Sequence, residues 1–134
     1  GDDNKIKAYG FEYDDYGRLE EANYVEKYNS STSAQDRYSV NSLSYDLNGN
    51  IETLVRKGKK GDGSYGIIDN LTYDYSTSST ISHDRLSRIS DATDLAAGFT
   101  APGTGWQDFT YDQRGNLTSQ DNSAISSLTP NVFN

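Results

Sequence analysis

Cysteine and methionine are absent from the 134 residues, and the chain has two prolines, one histidine and one tryptophan. Without cysteine there is no disulfide and no thiolate metal site, and redox compartment leaves no mark on the sequence. Basic residues are in deficit: 12 Lys and Arg stand against 20 Asp and Glu, a formal charge of −8. That balance speaks against nucleic acid, whose phosphates reward clustered cations, and against anionic membrane surfaces. No apolar run approaches the roughly 20 residues that cross a bilayer as a helix. No leader segment is recognisable, and Gly1 reads as a tag remnant, so the natural N-terminus is expected to have been removed.

Aliphatic residues are also scarce. Leu, Ile, Val and Phe together number 24, a little under a fifth of the chain, which with the net charge brings disorder within reach. Tyrosine is what the chain has in quantity. Its 11 residues favour half-buried pleated surface, and turn signals recur between alternating runs. A folded β domain with a thin, tyrosine-rich core follows. At this length it is one domain or an excerpt of something larger.

The clearest unit is Tyr45-Asp46-Leu47-Asn48-Gly49-Asn50-Ile51. Leu43 and Tyr45 alternate with polar residues on the way in, and Ile51 and Leu54 restore apolar groups on the way out. Asp46 opens a tight turn and Gly49 takes its fourth position, the chemistry of a type I turn in a hairpin. Phe11-Glu12-Tyr13-Asp14-Asp15-Tyr16-Gly17-Arg18-Leu19 and Phe109-Thr110-Tyr111-Asp112-Gln113-Arg114-Gly115-Asn116-Leu117 overlay on it. A further segment, Leu71-Thr72-Tyr73-Asp74, begins the same way without the Gly. It runs into Tyr75 and Ser76 to Thr80 and recovers at Arg85-Leu86, as the same hairpin with a longer tip. The four tyrosines Tyr13, Tyr45, Tyr73 and Tyr111 are 32, 28 and 38 residues apart, which fits one hairpin plus a variable connector per unit.

The units are placed near 9–27, 41–58, 69–91 and 107–122, with 123–134 as an edge strand or tail. Strands are expected near 5–13, 18–28, 38–45, 50–57, 65–75, 84–91, 106–111 and 116–120. The fold class is all-β: about eight antiparallel strands in consecutive hairpins, forming one curved, twisted sheet. Tyr28 to Ser33, Gly58 to Gly63 and Asp94 to Gly105 read as loops, with one possible helical turn at Asp94 to Ala97.

Candidate chemistry is thin. Asp46, Asn48 and Asn50 alternate as in a calcium loop, but Ile51 stands where such a loop needs Gly and Lys57 where it needs Glu. Gly58 to Gly66 holds Lys59 and Lys60 without the order of a phosphate loop. His83 has Asp84 and several serines near it, but no nucleophile elbow or oxyanion hole is written in the chain. Asp14, Asp15, Glu20 and Glu21 read as turn and edge-protecting charges. The triplets at Asn29, Asn70 and Asn116 match the glycosylation pattern by coincidence. Trp106, among Gly103, Gly105 and Gln107, has the makings of a sugar platform, against the plainer role of strand anchor. No catalytic residue, cofactor or metal is expected.

The repeated Tyr-Asp-x-x-Gly-Asn/Arg-Leu/Ile unit resembles the YD repeat of RHS/teneurin-type proteins. Tyr45 through Gly58 matches it well, and Ile68 to Tyr73 and Ile89 to Ala92 are similar to versions in bacterial surface proteins. The resemblance covers roughly residues 9–122. It implies a sheet of successive hairpins, which in full-length members winds into a shell around an effector or presents a surface for adhesion or glycans. It also implies a secreted or cell-surface location. An Asp-Pro self-cleavage region and an effector segment are lacking, which suggests a fragment or a short relative. The motif residues would be structural: Tyr13, Asp14, Gly17, Tyr45, Asp46, Gly49, Tyr73, Asp74, Tyr111, Asp112 and Gly115. Trp106 remains the possible glycan contact. The partners implied are neighbouring repeats, self-association through strand edges, or a glycan.

Overall fold

The computed structural model describes residues 5–29, 31–75, 84–93, 96–100 and 105–120. Nine antiparallel strands form one open sheet: β1 (Lys5–Tyr13), β2 (Leu19–Tyr28), β3 (Ser31–Gln35), β4 (Val40–Tyr45), β5 (Ile51–Lys59), β6 (Tyr65–Tyr75), β7 (Leu86–Asp91), β8 (Trp106–Tyr111) and β9 (Leu117–Gln120). Among the described residues there is no helix. The order β1-β2-β4-β5-β6-β7-β8-β9 is a meander, and β3 lies off it against β2. This is the all-β hairpin sheet that the alternating runs predict.

Two loop expectations give way to strand. Ser31–Gln35 has the composition of a loop, yet it pairs with Val25 to Tyr28. β4 meets β2 only at Ala22↔Val40, so the upper half of that β2 edge needs other partners for its backbone groups. The link between β3 and β4 completes the pairing: Asp36 N–H donates to the Tyr24 carbonyl at 2.9 Å, and Ser39 Oγ accepts from Tyr24 N–H at 2.9 Å. Gly58 also belongs to a strand, opposite Gly66. The Ile68 side chain lies so close over it that an added Cβ would come within 2.5 Å of Ile68 Cδ1. The turn itself is only Lys60 to Ser64, closed by Gly63 N–H on the Lys60 carbonyl.

Both faces of an open sheet meet water, so few side chains are buried. Ala22, Tyr24, Ile68 and Leu71 are the buried apolar side chains. Glu26, Asp69 and Asp91 are buried with them, and each has partners, as buried charge requires. Asp69 accepts from Arg56 Nε and Phe99 N–H, and Asp91 from the N–H groups of Asn70 and Thr93 at 2.9 Å. Glu26 accepts from the Tyr24 hydroxyl at 2.8 Å and faces Arg37 at 3.5 Å. Tail residues 121–134, the third hairpin tip at 76–83 with His83, and 94–95 and 101–104 of the connector, Gly103 among them, lie outside the described residues.

Candidate functional site

The three hairpin tips that open on Asp and close on Gly are built alike. In the second, Gly49 N–H donates to the Asp46 carbonyl at 3.1 Å and Asp46 N–H to the Asn50 carbonyl at 2.9 Å. Asp46 Oδ1 accepts from Asn48 N–H at 2.9 Å and Asn50 N–H at 2.8 Å, and its Oδ2 accepts from the Asn50 amide at 2.9 Å. Asp112 repeats the set with Arg114 and Asn116, and Asp14 repeats it with Tyr16 and Arg18, where guanidinium Nε replaces the amide at 2.6 Å. The closing glycines have φ of 78° (Gly17), 90° (Gly49) and 88° (Gly115), the left-handed region that the turn needs. The Asn50 amide holds the Asp46 carboxyl below the usual carboxylate range, and the Asn116 amide does the same for Asp112. At Asp14 burial pushes upward, but the donors of Arg18 and Tyr16 outweigh it and the net shift is down. The Asp46 carboxylate is thus occupied by the backbone N–H groups of Asn48 and Asn50 and by the Asn50 amide.

Register identifies the four units independently of the turn residues. Tyr13 pairs with Leu19, Tyr45 with Ile51, Tyr75 with Leu86 and Tyr111 with Leu117. In every case the register shifts by one immediately beyond that pair, leaving Glu20, Glu52, Ser87 and Thr118 as the extra residue. The tyrosine of the third unit is therefore Tyr75 and not Tyr73. Alignment on the Tyr-Asp dipeptide places that unit two residues early, because its long tip removes the Gly that would have fixed the offset. Asp74 accordingly sits in a strand opposite Arg88, paired with it at 2.7 Å, and caps no turn. Tyr73 pairs with Ile89 in the strand, and its burial pushes its phenol upward.

Each later unit tyrosine is tied to the hairpin before it. The Tyr45 hydroxyl donates to the Leu19 carbonyl at 2.7 Å, Tyr75 to Ile51 at 3.0 Å and Tyr111 to Leu86 at 2.9 Å. The acceptor is always the aliphatic residue that follows the turn. The residue just before that aliphatic reaches forward across the same seam. The Arg18 guanidinium lies 4.6 Å from the Tyr45 ring centre and its Nη1 donates to the Asp46 carbonyl at 3.3 Å. The Asn50 amide donates to Asp84 at 3.1 Å, and Arg85 lies 5.8 Å from the Tyr111 ring centre and against Gly115. Between the first two tips Tyr16, Arg18, Tyr45 and Leu47 line an open cleft of about 340 Å³. Tyr13, the first of the series, is 60% exposed, and its hydroxyl has no hydrogen bond among the described residues.

The aromatic side chains that lie together are not the ones around Trp106. Phe11, Tyr9, Tyr24, Tyr38 and Tyr65 form a continuous row with successive ring centres 6.0, 5.2, 5.2 and 5.5 Å apart. All but Tyr24 are exposed, and Arg37 sits over Tyr65 at 4.7 Å. Burial, with the hydrogen bond to Glu26, pushes the Tyr24 phenol up to about 12. The row crosses β1, β2, the β3–β4 link and β6, so it exists only once those strands are in register. The alternation of Tyr9 and Phe11 along β1 is its one trace in the sequence. Trp106 pairs with Ser90, and Arg88 lies 4.2 Å from its ring centre, covering a face a sugar would use. Among the described residues no group of Asp, Glu or His has the arrangement of a metal site. Comparison with family models, curated proteins and solved structures found no match.

Proposed function

We propose that this chain is a non-enzymatic scaffold segment, a wall of tyrosine-latched hairpins of the YD-repeat kind from a secreted or cell-surface bacterial protein. The observation that carries the reading is the seam. Three hydroxyls, on Tyr45, Tyr75 and Tyr111, each hold the hairpin before them by the carbonyl at the equivalent position, that of Leu19, Ile51 and Leu86. The side chains that recur from unit to unit are thus spent on joining units, and the turn carboxylates are already occupied by N–H donors. The repeat resemblance points the same way. Such a wall presents a long surface and two strand edges, the means to enclose or to meet another macromolecule. Each Tyr→Phe exchange at 45, 75 and 111 removes a hydrogen bond worth about 1 kcal/mol and lowers the melting temperature. Tyr73→Phe serves as the control, expected to leave it nearly unchanged. Equal losses at 73 and 75 would remove the seam from the argument.

A second reading, carbohydrate binding, draws on the row from Phe11 to Tyr65. Flat exposed rings beside the Arg37 guanidinium suit sugar faces and hydroxyls. A panel of oligosaccharides, read by Tyr38→Ala-sensitive binding, separates it from the scaffold reading, under which no sugar raises the melting temperature.

A further inference from the structure

We propose that the outer strands of the sheet pair between copies of this chain, β9 of one copy against β1 of the next, so that the protein associates head to tail. The proposal rests on the scaffold reading and names its partner: a second copy. Its ground is that the seam already occurs inside the molecule and that the two edges are its two halves.

Two of the three interior seams share a register, and the β2–β4 seam, which meets at Ala22↔Val40, is offset from it by one residue. Thr53, two residues after Ile51, pairs with Thr72, three before Tyr75. Arg88, two after Leu86, pairs with Asp108, three before Tyr111. The same rule applied to the outer edges sets Ser119, two after Leu117, opposite Gly10, three before Tyr13. In that register the Tyr13 hydroxyl meets the Leu117 carbonyl, as Tyr75 meets Ile51 at 3.0 Å and Tyr111 meets Leu86 at 2.9 Å. Asn116 then stands before the Asp14 carbonyl as Arg18, which also precedes its aliphatic, stands before the Asp46 carbonyl. The edge is also open to a partner. All nine residues of β1 are exposed, among them Ile6, Tyr9, Phe11 and Tyr13, and its sequence has no proline to block pairing. A Cβ built at Gly10 meets no atom within 4 Å. A symmetric pairing of β1 with β1 would leave Tyr13 without the carbonyl its equivalents use. Head-to-tail contacts are heterologous, so assembly continues past two copies.

The chain has no cysteine, so introduced thiols report without background. Gly10→Cys and Ser119→Cys proteins, mixed in equal amounts and oxidised, are expected to give the mixed disulfide dimer well beyond the twofold excess over either homodimer that random pairing produces. Light scattering on the unmodified protein is expected to show masses beyond a dimer that grow with concentration. Tyr13→Phe should raise the dissociation constant roughly twofold to tenfold, the worth of one hydrogen bond, with the melting temperature of the dilute protein unchanged. A protein monomeric at every concentration, or Gly10→Cys homodimers in excess, overturns the proposal. Either result leaves the scaffold reading standing, because that is judged by the melting temperatures of the Tyr45, Tyr75 and Tyr111 variants.

Discussion

Alanine at Gly49 and alanine at Gly10 are expected to move stability in opposite directions. Both positions are sterically open: a Cβ built at either meets no atom within 4 Å. Packing is thereby removed from the comparison, and only the backbone is left. Gly49 has φ of 90°, where an L side chain costs about 1–2 kcal/mol. Against this, alanine restricts the unfolded chain and returns about 0.4–1 kcal/mol. The net for Gly49→Ala is a loss of about 1 kcal/mol. Gly10 lies in β1 opposite Asn23, outside the left-handed region. There only the unfolded-chain term acts, so Gly10→Ala gains about 0.5 kcal/mol. Urea unfolding followed through the single tryptophan reads both. With a slope of about 2 kcal/mol per molar, the midpoint falls by about 0.5 M for Gly49→Ala and rises by about 0.25 M for Gly10→Ala. Gly49→Val should lose more, because a β-branched residue resists positive φ more strongly, and Gly49→Asn less, because Asn tolerates it. Midpoints that shift the same way for both alanines would refute the assignment of the Gly49 cost to its backbone angle.

Acid should weaken the three turns together. Asp14, Asp46 and Asp112 all have carboxyls held below their ordinary value. A depressed folded pKa adds stability above the unfolded value of about 3.9, lost as pH falls through the folded value. The melting temperature is therefore expected to be level from pH 7 to 5 and to drop below about pH 4, with a shallower drop in Asp46→Asn. In alkali, Tyr24 is the tyrosine to watch. Its phenol is pushed up to about 12, so its contribution is complete below the unfolded value of about 10 and is lost as pH rises through 12. Absorbance titration should show Tyr24 ionising last, and Tyr24→Phe should remove that phase. Arg88→Ala uncovers the Trp106 ring and is expected to increase acrylamide quenching of tryptophan fluorescence; unchanged quenching would place the guanidinium elsewhere in solution.

Much of the architecture was legible because period-two alternation and Asp-x-x-Gly turns are local signals. β1, β2 and β4 to β9 lie where alternation places them, and Gly17, Gly49 and Gly115 take the positive φ their turn position implies. Ser31–Gln35 escaped notice because its strand character belongs to its partner: an unfinished β2 edge recruits a polar segment of little β propensity. The third unit was misaligned for a related reason. Tyr73-Asp74 and Tyr75 offer two tyrosines at one turn, and only the pairing of Tyr75 with Leu86 distinguishes them. The aromatic row was beyond reach for the same cause. Tyr24, Tyr38 and Tyr65 are far apart in sequence, and the β3–β4 link that carries Tyr38 between the other two follows no periodic pattern.

The latches at Tyr45, Tyr75 and Tyr111 each join one hairpin to its immediate neighbour. Coupling of that reach makes the molecule a linear lattice, in which stability grows by one hairpin and one junction with every unit added. A hairpin at either end has a junction on one side only, while those inside have two. Amide protons should therefore exchange fastest in β1 and β9 and slowest around β5 and β6, with a gradient between them. A further hairpin joined to β9 would move the slowest-exchanging amides toward that end without changing a residue in the interior.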